Sequence, residues 1–324
     1  MGPRAAFYRE GVTAMPTFAG ATQWLNSGPL RPDDLRGRVV LVDFWTLTCI
    51  NWLRTEPYIR AWSQAYEADG LVVVGVHTPE FSFEHDVDLV KQATAAREIA
   101  YPVVVDNDYG VWTAFDNHFW PALYLVDRDG EIRDHHFGEG RYVESERSLQ
   151  RLLGVEREPV AGTVVGRGVE AEADWDTLRT PESYLGYARG GGFASEGPAP
   201  DERRAYAFPG YLPFNQWGLD GEWILGREKV ELAGDAGAIA FHFQARDAHL
   251  VLSNATGRPI PFQVFLDGQP PGEAHGVDVD ADGAGVLREG RLYQLVRQPG
   301  TVAERIVEIT FGEPGAEAYA FTFG

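Results

Sequence analysis

Between Val39 and Trp45 the chain reads VVLVDFW, apolar at every position but Asp43, which predicts a strand buried on both faces. A helix is expected over about Cys49–Ala68, with Trp52, Leu53, Ile59, Trp62 and Tyr66 supplying its inward face. Leu71–Val76 (LVVVGV) repeats the buried-strand pattern, Phe83–Ile99 has amphipathic spacing, and Tyr101–Val105 reads as a third strand. A short helix is expected over Tyr109–Asn117. Pro121–Val126 and Glu131–Phe137 then form a hairpin around Asp127-Arg128-Asp129-Gly130, and Glu144–Leu153 closes the series as a helix. Strand and helix alternate up to that hairpin, which predicts an α/β layer structure with a mixed sheet.

Beyond Gly154 the pattern changes. Residues 155–205 are loop-rich, with Gly190-Gly191-Gly192 and SEGPAP at 195–200. Short strand-like runs follow at Trp223–Leu225, Ile239–Phe243, Leu250–Leu252, Pro261–Leu266, Arg291–Val296, Ile306–Phe311 and Tyr319–Phe323, without helical periodicity. This spacing predicts an antiparallel β-sandwich. Two domains are expected, 1–158 and 159–324.

Composition narrows the function. The chain has 48 acidic against 28 basic residues and a formal charge of −20, which repels phosphate backbones and anionic membranes, so nucleic-acid binding is excluded as a class. No apolar run reaches the ~18 residues of a membrane span. The first residues lack a signal-peptide core. As written the chain reads as cytoplasmic; as a piece of a longer protein it would be extracytoplasmic. A single Cys in 324 residues excludes an internal disulfide and a thiolate-based structural zinc site. Neither cofactor nor metal is expected.

That one thiol is the candidate for chemistry. Cys49 opens a helix after a buried strand, where unpaired N–H groups and the positive end of the helix dipole favour thiolate and lower its pKa. Asp43, six residues earlier on the strand, is expected to be held partly protonated by burial. Pro57 falls inside the helix, and Trp120-Pro121 precedes a strand, where an X-Pro bond can be cis and shape a pocket floor. The alternative is an inert, buried Cys covered by Trp52.

The order D-F-W-x-x-x-C, a helical Pro eight residues after the Cys and a later X-Pro before a strand resembles thioredoxin. TCINWLRTEPYIRAW, GVHTPEF, DNDYGVW, FWPALYLVDRDG and HHFGEG resemble the TlpA/ResA-like redoxins, particularly the C-terminal part of DipZ-type proteins. PESYLGYARGGGFAS and AYAFTFG in the second half resemble the carbohydrate-binding-module-like sandwich of that group. The resemblance implies a thioredoxin fold followed by a jelly-roll-like sandwich, and a thiol-dependent oxidoreductase. It also implies that Cys49 is the attacking thiol. The redox motif of the family is C-x-x-C, whereas here it is Cys49-Ile50-Asn51-Trp52. Its resolving thiol is therefore missing and must come from outside, as a small thiol, another redoxin or a second copy of the chain. In thioredoxins the carboxylate matching Asp43 assists the resolving thiol, a role with no object here. Thr46, three residues before Cys49, partly matches the peroxiredoxin pattern P-x-x-x-T-x-x-C, with Val42 in place of its Pro, and gives peroxide reduction as an alternative.

Trp45, Thr48, Trp52, His77, Glu80, Trp120 and Pro121 are expected to line the pocket around Cys49, although packing is the plainer role for Trp45, Trp62 and Trp120, and a structural role fits His77 equally well. His135 and His136, adjacent on a strand, face opposite ways and cannot share a metal. Asp278–Glu289 (DVDADGAGVLRE) fits the calcium-loop pattern through Asp278, Asp280 and Asp282, but its flanks read as strands and favour a plain hairpin loop. Tyr184, Tyr187, Phe193, Trp217 and Trp223 could form a sugar-binding platform, although aromatic residues of a β-sandwich are mostly core, or the tract Tyr184–Phe208 could pack across the first domain. The rival to an enzyme is a binding protein that uses the redoxin pocket or the sandwich surface for a sugar or small molecule.

Overall fold

The computed structural model describes residues 14–324, which divide into two compact units at Gly166/Arg167. In the first unit the chain runs β1 (Gln23–Leu25), α1 (Pro32–Leu35), β2 (Val39–Trp45), α2 (Ile50–Tyr66), β3 (Leu71–His77), α3 (Val87–Ala96), β4 (Val103–Val105), α4 (Gly110–Ala114), β5 (Ala122–Val126), β6 (Ile132–Phe137) and α5 (Tyr142–Leu153). The sheet order is β1-β4-β3-β2-β5-β6. β2, β3 and β4 are parallel, while β1, β5 and β6 run against their neighbours. This is the thioredoxin fold, with the fully buried β2 at the centre of the sheet.

β2 explains the central position of the site. It is flanked on both edges and covered on both faces, so every one of its side chains is buried, Asp43 included. Phe44 packs against Phe115 and Tyr124 on one face, within a core that also holds Val40, Val42, Val74, Val76 and Val104. On the neighbouring strand Gly75 lies opposite Asp43, and a Cβ there would come within 3.0 Å of the Trp45 indole nitrogen and 3.2 Å of the Tyr101 ring. Glycine at that position is what lets the Trp45 ring lie across the strand.

The segment read as one helix from Phe83 to Ile99 is broken. Ser82–His85 forms a separate 3₁₀ turn, and Asp86 starts α3 by accepting the Asp88 N–H at 2.9 Å. The break follows from Glu84, whose carboxylate is drawn inward to backbone donors rather than left on a helix surface. β1 was not legible as a strand; it is an edge of three residues paired with β4. Residues 160–163, placed by composition with the second half, are tied to the first unit. The buried Glu146 carboxylate accepts the Val160 and Ala161 N–H groups at 2.7 and 2.8 Å, together with the Trp62 indole N–H and the Tyr66 hydroxyl.

The second unit is antiparallel throughout its named strands: β7 (Ser183–Tyr184), β8 (Arg203–Tyr206), β9 (Trp217–Leu225), β10 (Val230–Gln244), β11 (Asp247–Asn254), β12 (Ile260–Leu266), β13 (Ala284–Leu287), β14 (Arg291–Arg297), β15 (Glu304–Phe311) and β16 (Ala316–Phe323). The long β10 joins two layers. Its start pairs with β16, which continues to β11 and β14, and its end pairs with β15, which continues to β12 and β13. The layers meet through contacts such as Phe241–Phe321, with ring centroids 5.0 Å apart. This is a β-sandwich.

For two features of this half the structure takes the plainer of the alternatives. Trp217 and Trp223 are core residues, not a surface platform; their indole N–H groups donate to the carbonyls of Gly191 and Asp220. The calcium-like loop does not gather its carboxylates. Asp278 pairs with Arg291 at 2.7 Å and accepts the Gln294 N–H, while Asp280 accepts the Ala284 N–H. Among the described residues no group of three or more His, Cys, Asp or Glu side chains is placed to hold a metal. Nor is any described helix long and apolar enough to cross a membrane.

Candidate active site

Cys49 is the N-cap of α2 and is half-buried. Its backbone N–H donates to the Thr46 carbonyl at 3.3 Å, closing a tight turn, and its carbonyl accepts the first helical bond from Leu53 at 2.9 Å. The sulfur lies 3.7 Å from the carbonyl oxygen of Trp120, the residue that forms a cis peptide with Pro121. The thiol at the start of the helix and the X-Pro pair, 71 residues apart in sequence, are thus brought side by side.

Trp52 stands one helical turn on, at the place of a resolving thiol, and it is fully buried. Its indole N–H donates to Asp43 Oδ2 at 3.0 Å, and its ring stacks on Trp45 with centroids 4.2 Å apart and planes 15° off parallel. Burial, opposed by the Trp52 hydrogen bond and reinforced by the negative charge of Glu56, pushes the Asp43 carboxyl up to about 7. Its other oxygen has no hydrogen-bond partner among the described residues. His77 is edge-on to Trp45 at 4.7 Å and entirely enclosed, and burial pushes its imidazole down to about 3, so it is neutral. No part of its side chain is exposed.

On the other side of Cys49, Trp120 packs on Trp112 at 4.3 Å and donates its indole N–H to the Thr78 carbonyl at 3.1 Å. The Thr78 hydroxyl donates to Asp106, which also accepts the Val111 and Trp112 N–H groups and so caps α4. Thr46 and Thr48, within that turn, are buried. Glu80, half-exposed, enters through its backbone N–H, which donates to Glu84. Glu84 is fully buried; burial raises its carboxyl to about 7 against the hydrogen bonds it accepts.

Glu84, Asp106 and Glu56 were missed by sequence reasoning. Glu84 does carry a signal in FSFEH: a carboxylate flanked by aromatic residues just after a buried strand.

Residues 13–135 match the AhpC/TSA family, and residues 180–324 match a thioredoxin-like C-terminal domain. The thiol-disulfide oxidoreductase YkuV of Bacillus subtilis is 30% identical over 139 residues, which cover 43% of this chain and 93% of YkuV. The chain belongs to the thioredoxin-like redoxins, a family of thiol oxidoreductases. Protein DipZ of Mycobacterium bovis is 36% identical over 269 residues, or 81% of this chain, and DipZ of Mycobacterium tuberculosis matches to the same extent. This redoxin spans 37% of the length of those relatives.

Proposed function

We propose that this redoxin exchanges disulfides through Cys49 alone. The observation that carries the reading is the pairing of a half-buried Cys49, beside the Trp120 carbonyl, with a buried Trp52 where a second thiol would stand. The Cys49 thiolate attacks one sulfur of an incoming disulfide. That S–S bond breaks, and the departing thiolate carries away the electron pair and takes a proton from solvent. Cys49 is left in a mixed disulfide that it cannot resolve internally. An external thiolate then attacks the substrate-side sulfur, and Cys49 leaves as thiolate. The net result is transfer of one half of a disulfide to an external thiol. Asp43, engaged by Trp52, takes no part in the proton traffic of Cys49.

The peroxide route needs a hydroxyl presented to the sulfur. Thr46 instead offers its backbone carbonyl to the Cys49 N–H, and its side chain is fully buried, so thiol exchange is the better fit.

The test is direct. Reduced native protein incubated with glutathione disulfide should gain one glutathione on Cys49, measured as a mass increment, and lose it again to excess glutathione. Cys49→Ser should gain none. A thiol that reacts only after denaturation would end this reading and leave a binding protein built on a redoxin scaffold.

A further inference from the structure

Beneath the turn that carries Cys49, four donors converge on one enclosed carboxylate. Glu84 Oε1 accepts the Thr48 N–H at 3.2 Å and the Thr48 hydroxyl at 2.7 Å. Its Oε2 accepts the N–H groups of Glu80 at 2.6 Å and Phe81 at 2.9 Å. Thr48 is the residue immediately before the thiol, and 36 positions separate it from Glu84. The carboxylate therefore bridges two segments, the 46–49 turn and the 80–81 stretch. The 80–81 stretch follows a residue already fixed, since Tyr109 donates its hydroxyl to the Pro79 carbonyl. An ionised carboxyl is all acceptor and suits four donors; an amide brings two N–H groups of its own into the cluster.

We infer that Glu84 is a positioning residue for Cys49, holding the turn through Thr48 so that the sulfur stays at the N-terminus of α2. The inference rests on Cys49 being the exchanging thiol. Losing the bridge lets the turn drift from the helix axis and weakens the stabilisation of the thiolate. Cys49 is already partly accessible, so loosening adds little exposure to offset that loss.

The test uses full-length protein and two probes, dithiobis(nitrobenzoate) and glutathione disulfide, at pH ~8.5, where Glu84, raised to about 7, is ionised. Thr48→Val should react about fivefold more slowly, the factor expected for a helix-terminus interaction of roughly 1 kcal/mol, and Glu84→Gln should also be slower but by less, because it removes with the bridge a negative charge that disfavours the thiolate. Thr48→Ser, which keeps the hydroxyl, should retain the parental rate; a role confined to packing would not separate serine from valine in this way. Should Glu84→Gln not fold, the Thr48 pair decides, with thermal melting confirming that both are native. Equal rates for Thr48→Val and Thr48→Ser would overturn the positioning role while leaving the Cys49 reading intact. A parental protein unreactive in its native state would overturn the Cys49 reading itself.

Discussion

Replacing Asp43 by Asn should stabilise the first unit, and the gain should depend on pH. Asp43 is fully buried, and its carboxyl is raised from 3.8 to about 7, chiefly by burial. A group whose folded pKa lies above its unfolded value binds more protons in the native state between those two values, so stability falls as pH rises through that window. At about 1.4 kcal/mol per pH unit, ionising Asp43 within the fold costs about 4 kcal/mol, fully present above pH ~7 and absent below pH ~4. Asn keeps an acceptor for the Trp52 indole N–H and carries no charge. Asp43→Asn should therefore match the parent near pH ~4 and exceed it by up to ~4 kcal/mol near pH ~8. Glu84, also raised to about 7, contributes the same trend to both proteins and cancels in the comparison. Hydrogen exchange of β2 peptides, read by mass spectrometry, isolates this unit from the sandwich, and the ratio of the two proteins at one pH removes intrinsic exchange chemistry. Where exchange requires global opening of the unit, the Asn protein should be slower by about a thousandfold at high pH. A ratio that does not change with pH would show that Asp43 is not held protonated by burial, and the argument from β2 would fail.

Trp52→Cys should create a C-x-x-C pair able to close a disulfide, since positions 49 and 52 are one helical turn apart. It should gain activity in an insulin turbidity assay while its reduced form loses ~3–5 kcal/mol for the vacated indole site; strong activity in the parent would contradict the absence of a resolving thiol. A chain ending at Gly166 should fold alone and be more stable than one ending at Glu158 by ~1–3 kcal/mol, because only the longer one supplies the Val160 and Ala161 N–H groups to Glu146. Equal melting temperatures for the two would remove that role. In the sandwich, Arg297→Leu should cost ~3–5 kcal/mol in urea unfolding, since it strips one of two guanidinium groups from the fully buried Asp247, leaving Arg246 and the Gln294 amide against it.

The strands were legible because burial on both faces writes a continuous apolar run, as in β2 and β3, and the thiol was legible because it opens the helix that follows. β1 was not, because three residues at a sheet edge carry no period of their own. Trp52 stands in the sequence where the resembled motif has its second Cys, but its engagement with Asp43 could not be foreseen, since a pair nine residues apart is set by how the strand and helix pack. Glu84 and Asp106 were hidden for the opposite reason. A carboxylate on an expected amphipathic helix, as Glu84, or in a loop, as Asp106, ordinarily reads as solvated, and only the fold reveals that backbone donors have drawn it inside. His77, expected at a strand end either to line the pocket or to serve the structure, does end β3, where it is fully buried with its ring edge-on to Trp45.

The enclosed Trp52 also has a genetic meaning. Codons for tryptophan and cysteine differ only in their third base, so the one-thiol and two-thiol forms of this site lie a single nucleotide apart. The code offers almost no barrier between them; the fold does, because the indole at position 52 is at once the partner of Asp43 and the platform under Trp45. A lineage that changed that base would reach a complete redox pair and a void beside a buried carboxylate in the same step. It would keep the pair only if neighbouring side chains grew to fill the space.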